Sequence, residues 1–130
     1  MIVVDASVVV LALGEDTTAG RRLRLRLRSE ALAAPELLDL EVLAAWRRLV
    51  QRGLLPPTRV ASAVADLADL PVHRASHTPL LDRCWQLRDT VTAYDAAYVT
   101  LAEALDVPLL TADGRLARAS GPRCAVELVT

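Results

Sequence analysis

The sequence predicts a single α/β domain in which a central, mostly parallel sheet of about five strands is flanked by helices. Short apolar segments of strand length alternate along the chain with longer segments of helical periodicity. Such alternation is typical of a parallel sheet whose connections are helical. The length of 130 residues is that of one domain, which we place at residues 1–130. No internal repeat or linker interrupts it.

The first predicted strand lies within residues 1–5, where three consecutive apolar, β-prone residues precede Asp5. A short helix follows at residues 6–13. The segment 19–29 is ambiguous, because leucines alternate with arginines as in a strand whereas its good helix formers favour a helix. We predict a helix there, since a crossover must precede the next parallel strand, at residues 31–34. The arginines of this segment either form a solvated face or bind an RNA backbone.

The rest of the chain continues the alternation. Pro35 begins a predicted helix that Gly53 and the following prolines end, and Thr58 and Thr92 are predicted N-caps of later helices. The predicted helices are 36–52, 58–70, 77–90, 93–105 and a short one from Asp113; the predicted strands are 71–74, 107–111 and 124–129.

Composition excludes several classes of function. All 15 basic residues are arginines, so neither a Schiff-base lysine nor a phosphate-binding P-loop lysine is present. The absence of lysine also argues against a phosphotransfer receiver, and Asp5-Ala-Ser7 lacks the second Asp that a haloacid-dehalogenase-like phosphatase needs. Because the net charge is −1, a polyanion must be held locally by arginines or by a bound cation.

No charge-free apolar stretch is long enough to span a membrane, and no signal peptide is visible, so we expect a cytoplasmic protein. Cys84 and Cys124 lack the spacing of a metal site and are expected to be buried, reduced thiols. His73 and His77 are expected at the surface or at a strand edge.

Four acidic residues differ from ordinary surface acids. Asp5 and Asp113 each follow an apolar strand, at the sheet edge where ligands bind in α/β folds. Glu41 has only apolar neighbours three and four residues away, and the corresponding neighbours after Asp95 are Tyr98 and Val99.

Each acid also has a simpler interpretation. Asp5 and Asp113 could cap helices, Glu41 could pair with Arg48 or Arg52, and Asp95 could form a capping box with Thr92. Asp39, on the same helix as Glu41, is expected to lie at the surface or to interact favourably with the dipole at the start of the helix. If the four acids converge, however, their mutual repulsion requires a cation, and carboxylates without a Cys/His set suit Mg²⁺ or Mn²⁺.

The chain resembles PIN-domain ribonucleases, and especially the VapC toxins of bacterial toxin–antitoxin pairs. The resemblance covers essentially the whole chain and lies in four motifs: Val-Asp5-Ala-Ser7, residues 34–43, Thr92-Ala-Tyr-Asp95-Ala-Ala-Tyr98, and Leu-Leu-Thr111-Ala-Asp113. It implies a PIN-like domain with an acidic quartet at the carboxyl edge of its sheet. The quartet is Asp5, Glu41, Asp95 and Asp113, with Ser7 and Thr111 as polar support.

The resemblance also implies a function, namely metal-dependent endoribonuclease hydrolysis of RNA phosphodiester bonds by the toxin of a toxin–antitoxin pair. Asp5 and Asp95 would hold Mg²⁺, with Mn²⁺ as a possible substitute, and Glu41 or Asp113 would orient the attacking water. Expected partners are the RNA substrate, a cognate VapB-like antitoxin that covers the active site, and a second copy in a homodimer. The alternative is a catalytically silent PIN domain that binds RNA or protein.

Two positions depart from the family pattern. Many relatives have Asn where Ala44 stands, and some have a further acid where Arg115 stands. The first departure leaves open how the Glu41 side of the site is hydrogen-bonded. The second leaves open whether one or two metal ions bind.

Overall fold

The computed structural model describes residues 1–129, which form a five-stranded sheet flanked by helices. Every strand pairing is parallel, so the predicted mostly parallel sheet is entirely parallel. The strand order is β3-β2-β1-β4-β5. The strands are β1 (Ile2–Val4), β2 (Leu32–Pro35), β3 (Val72–Ala75), β4 (Leu109–Thr111) and β5 (Val126–Leu128).

Helices form all the long connections between these strands. They are α1 (Ala6–Gly14), α2 (Thr18–Arg28), α3 (Leu38–Gln51), α4 (Pro57–Asp69), α5 (Leu81–Gln86), α6 (Ala93–Leu105) and α7 (Gly114–Ala117). A 3₁₀ turn at Thr78–Leu80 precedes α5. None of the helices within residues 1–129 is long and apolar enough to cross a bilayer.

The central strand β1 and the helix that follows it form the middle of the core. All three β1 residues are buried, as are Val8, Val9 and Val10 of α1. The fully buried Trp46 of α3 donates from its indole N–H to the Val10 carbonyl, at 3.3 Å. A Cβ added at Gly14 would lie 2.6 Å from the Trp46 Nε1, so this glycine is what lets α1 and α3 approach so closely.

The predicted helix at 19–29 is confirmed, and burial explains its sequence pattern. Leu23 and Leu27 face the core at helical spacing, whereas Leu25 between them is 63% exposed. Its central arginines bind within the chain: Arg24 donates to the carbonyls of Ala12 and Glu15 (2.6 and 3.0 Å), and Arg26 pairs with Glu127 at 2.9 Å. Arg24 and Arg26 therefore support the fold and do not form a free RNA patch.

Several predicted boundaries are wrong. The helix predicted at 77–90 is a 3₁₀ turn and a short α5, because Leu87 turns into the core and residues 88–90 form turns. Strand β4 begins at Leu109 rather than at residue 107, after Asp106 in the left-handed conformation and Pro108. Thr58 is not an N-cap: Pro56 holds that position, Pro57 begins α4, and no side chain caps the helix.

The thiols and imidazoles match the sequence predictions only partly. Cys84 and Cys124 are free but half-buried rather than buried. His73 is exposed on the edge strand β3, as expected. His77 is half-buried, and its Nε2 accepts a hydrogen bond from the Leu37 N–H at 3.1 Å, so it has a structural role.

Candidate acidic active site

Asp5 is the most buried of the four predicted site acids. It lies directly after β1, caps α1, and is only 5% exposed. Its Oδ1 accepts hydrogen bonds from the Ser7 hydroxyl and, at 3.2 Å, from the Val8 N–H, and its Oδ2 accepts one from the Thr111 hydroxyl. Burial raises the pKa of this carboxyl, and the bonds from Ser7 and Thr111 offset only part of the increase. No ion pair within residues 1–129 involves Asp5.

Ser7 and Thr111 connect the ends of the two central strands around Asp5. The Ser7 Oγ accepts from the Ala112 N–H at 2.9 Å, and the Thr111 Oγ1 accepts from the Asp113 N–H at 3.0 Å. Because both hydroxyls also donate to Asp5, the carboxylate is held by residues that are far apart in sequence. The structure thus places both predicted supporting residues in direct contact with Asp5.

Glu41 is half-buried on α3, and Tyr98 of α6 is its hydrogen-bond partner. The Tyr98 hydroxyl donates to the Glu41 Oε1 at 2.7 Å, while the ring of Tyr98 is 1% exposed. Burial raises the pKa of Glu41, the Tyr98 bond lowers it, and the charges of Asp95 and Asp5 raise it further. The ion pair with Arg48 or Arg52 that the sequence allowed does not form within 4.0 Å among residues 1–129, although the charge of Arg48 does lower the pKa of Glu41.

Asp95 and Asp113 lie near each other at the starts of α6 and α7. Burial raises the pKa of Asp95, and the charge of Asp113 raises it further. Thr92 caps α6 as predicted, since its Oγ1 accepts from the Asp95 N–H at 3.1 Å. Asp113 caps α7, accepting from the Arg115 N–H at 2.9 Å, and the Arg115 Nε lies 3.6 Å from its Oδ1. The helix caps at Asp5, Thr92 and Asp113 therefore form, and the site interpretation does not conflict with them.

One cleft of about 520 Å³ contains all four acids. Asp5 lies deepest, and Arg48 and Arg115 are the cationic residues in its lining. Asp39, on the same helix as Glu41, points elsewhere and pairs with Arg74 of β3 through two bonds of 2.7 and 2.9 Å. Ala44 is exposed, lies outside the cleft lining and has no polar side-chain atom, so this position contributes no hydrogen bond to the Glu41 side of the site.

The donor set fits a hard divalent cation held by few protein ligands. Within residues 1–129, no three His, Cys, Asp or Glu side chains are close enough together to enclose a metal ion. Mg²⁺ does not require such a cage, since it usually keeps several waters and binds one or two carboxylates. Burial and mutual repulsion raise the pKa values of Asp5, Glu41 and Asp95, which is the effect that a bound cation would relieve.

Sequence reasoning gave Tyr98 no role in the site. Its position three residues after Asp95 places both side chains on the same face of α6, and that spacing was the available signal. The bond to Glu41, which lies 57 positions away in sequence, could not be read from the local pattern.

The fold is that of known protein structures. The crystal structure of PAE2754 from Pyrobaculum aerophilum has a TM-score of 0.68 and 22% identity, and the match covers 96% of this chain and 81% of that one. The structure of Mycobacterium tuberculosis VapC20, described as a sarcin-ricin loop cleaving toxin, has a TM-score of 0.63 and 18% identity, covering 90% and 93% of the two chains. At these identities the likeness establishes the fold alone.

Sequence comparison establishes the family. The profile described as PIN domain matches residues 2–122. Ribonuclease VapC12 of Mycobacterium tuberculosis is 45% identical over 129 residues, which are 99% of each chain. Ribonuclease VapC1 of the same species is 46% identical over 128 residues, covering 98% of this chain and 96% of that one. The match to the family profile and the 45–46% identity over nearly the full length show that this chain belongs to the PIN-domain family and, within it, to the VapC group.

Proposed function

We propose that this chain is a metal-dependent endoribonuclease that hydrolyses RNA phosphodiester bonds as the toxin of a toxin–antitoxin pair. The observation that carries the proposal is Asp5, a buried carboxylate without an ion-pair partner in residues 1–129, in a cleft with three further acids. Such a charge is costly unless a cation compensates it. The names of the relatives, Ribonuclease VapC12 and Ribonuclease VapC1, support the choice of RNA as substrate.

Asp5 and Asp95 would hold the metal ion, Mg²⁺ or in its place Mn²⁺. Burial raises the pKa values of both carboxyls, and the charge of Asp95 raises the pKa of Asp5 further. When bound, the ion would lower the pKa of a water molecule and neutralise charge that develops on the phosphoryl group. Ser7 and Thr111 would fix the orientation of the Asp5 carboxylate through the hydroxyls that they donate to it.

Glu41 or Asp113 would orient the attacking water, and their contacts distinguish the two. Tyr98 occupies the Glu41 Oε1, which leaves Oε2 available to accept a proton from water. The raised pKa of Glu41 favours this role, because a general base is most effective when its pKa approaches the working pH. The Asp113 Oδ1 already accepts from the backbone of its own helix and lies near Arg115. We therefore assign the orienting role to Glu41.

We also propose two protein partners: a VapB-like antitoxin that covers the acidic cleft, and a second copy of the chain in a homodimer. A cleft with four acids can accept a cationic side chain, such as an arginine, from the antitoxin. Exposed leucines on α3, Leu40 and Leu43, provide apolar surface for such contacts. Sedimentation velocity of the isolated chain, with and without its antitoxin, tests both associations; a monomer at all concentrations contradicts the homodimer.

The test of the enzymatic proposal is cleavage of total cellular RNA in Mg²⁺, in Mn²⁺ and in EDTA. We expect discrete fragments that require the metal and that disappear in Asp5→Asn. Asp66→Asn is the matched control, because Asp66 is an exposed acid of α4 outside the cleft, and it should cleave like the wild type. Cleavage by Asp5→Asn at the wild-type rate contradicts the assignment. No cleavage by folded, antitoxin-free protein favours the silent binding module instead.

A further inference from the structure

A second cavity, of about 420 Å³, adjoins the acidic cleft. The two share Asp95, Asp113 and Arg115 in their linings. The far wall of the second cavity comes from the segment between α5 and α6, including Arg88 and Thr90. A strand of RNA with its phosphate at the acids would therefore extend into this cavity on one side.

Arg88 connects the second cavity to an exposed aromatic side chain. Its Cζ lies 4.6 Å from the centroid of the Trp85 ring, and its Nη1 donates to the Trp85 carbonyl at 3.0 Å. Trp85 is 68% exposed, whereas the other tryptophan, Trp46, is fully buried. Trp85 therefore contributes little to the core, and its ring and the Arg88 guanidinium together form an exposed surface pair.

The chemistry of this surface matches single-stranded RNA. Bases stack on aromatic rings and on guanidinium planes whatever their sequence, while arginines nearby hold the backbone. The chain has a net charge of −1 and an acidic cleft, so arginines beside the cleft and a cation bound in it are the groups that can attract RNA. Arg115 is such a group, because its side chain is 89% exposed and its contact with Asp113 is as long as 3.6 Å.

We propose that Trp85 and Arg88 form a stacking platform for a base of single-stranded RNA next to the cleavage site, with Arg115 contacting the phosphate between platform and cleft. The inference deepens the proposed ribonuclease function and rests on it for the direction of the RNA strand. Stacking gives the platform a positioning role that tolerates any base at that place.

Binding can be measured without cleavage in the Asp5→Asn background, with a random-sequence, single-stranded 12-nucleotide RNA as the probe. We expect the RNA to quench the emission of the exposed Trp85, with the buried Trp46 unaffected. Trp85→Leu should abolish the quenching. With the Kd measured from the fluorescence anisotropy of an end-labelled probe, Trp85→Leu and Arg88→Gln should each raise it about tenfold. Leu81→Ala, an exposed apolar residue one turn earlier on α5, and Arg59→Gln, an exposed arginine of α4, are the matched controls.

Cleavage kinetics of the otherwise wild-type chain provide the second measurement. Trp85→Leu should raise KM about tenfold with little change in kcat, since the platform binds RNA away from the reacting atoms. Unchanged KM and Kd in Trp85→Leu, with active wild-type enzyme, overturn the platform and leave the ribonuclease proposal intact. RNA that quenches Trp85 in a chain without any cleavage supports the platform and contradicts the enzymatic proposal. If Trp85→Leu instead converts a dimer to monomers without changing RNA affinity, the surface is a protein interface and the inference is wrong.

Discussion

The hydrogen bond from Tyr98 to Glu41 allows a sharp test of the site, through Tyr98→Phe. Phenylalanine keeps the buried ring and leaves no cavity, so the change removes only the donor at 2.7 Å. A hydrogen bond to a charged group is worth about 1.5–3 kcal/mol, and the half-buried position of Glu41, where water can replace the donor, indicates the lower end. For 130 residues the entropy of unfolding is about 0.27 kcal/mol per kelvin, so Tm should fall by about 5 °C.

The same substitution should change the pH dependence of cleavage. Burial raises the pKa of Glu41, whereas the Tyr98 bond favours the charged carboxylate and lowers it. Without that bond the pKa rises further, so the acid limb of the rate profile should move to higher pH. Tyr94→Phe is the matched control, since Tyr94 is a 64% exposed tyrosine of the same helix. The two variants are compared by their Tm from calorimetry in EDTA and by their cleavage rates from pH 5 to 9. The same Tm and the same pH–rate profile for Tyr98→Phe and Tyr94→Phe would refute the role of the bond.

Three further predictions concern stability in the absence of RNA. Because the folded pKa of Asp5 is raised above its unfolded value, charged Asp5 opposes folding as pH rises through that folded pKa. In EDTA, the advantage of Asp5→Asn over wild type in urea denaturation should therefore grow with pH and vanish under acid conditions; a constant difference would contradict this. Added Mg²⁺ should raise the Tm of the wild type but not that of Asp5→Asn, and equal shifts would exclude Asp5 as a ligand. Gly14→Ala should lower the free energy of unfolding by about 1–3 kcal/mol, because the added methyl overpacks against the Trp46 indole. Gly53→Asn, at an open site with φ +71°, should change it little. Equal losses of unfolding free energy in a denaturant titration would be inconsistent with this packing.

Sequence reasoning was sufficient for the architecture because the relevant signals are local. Three apolar residues followed by Asp5 identify the central strand, and helical spacing of Leu23 and Leu27 identifies α2. Boundaries were less accurate where tertiary packing decides them. The burial of Leu87 ends α5 early, and nothing in the neighbouring residues marks Leu87 as different from the leucines before it.

The acids of the candidate site and the polar support of Asp5 by Ser7 and Thr111 were predictable, whereas the contact of Glu41 was not. Strand ends and inward helix faces selected Asp5, Glu41, Asp95 and Asp113, and the structure places all four around one cleft. The bond between Tyr98 and Glu41 depends on how α3 and α6 pack, which no local pattern encodes. Contacts between residues close in sequence were therefore easier to predict than contacts that the packing of distant helices creates.

The strand order also determines how the chain could be divided. A cut in the exposed turn at Gly53 leaves β1 and β2 with Asp5 and Glu41 on one fragment, and the other three strands with Asp95 and Asp113 on the second. The two strands of the first fragment are neighbours that lie between β3 and β4, so β3 of the second fragment is separated from β4 and β5 until the first fragment fills the gap. Each half holds two of the four acids and should be inert until the halves associate. Fused to two interacting proteins, such halves would make RNA cleavage a reporter of their encounter.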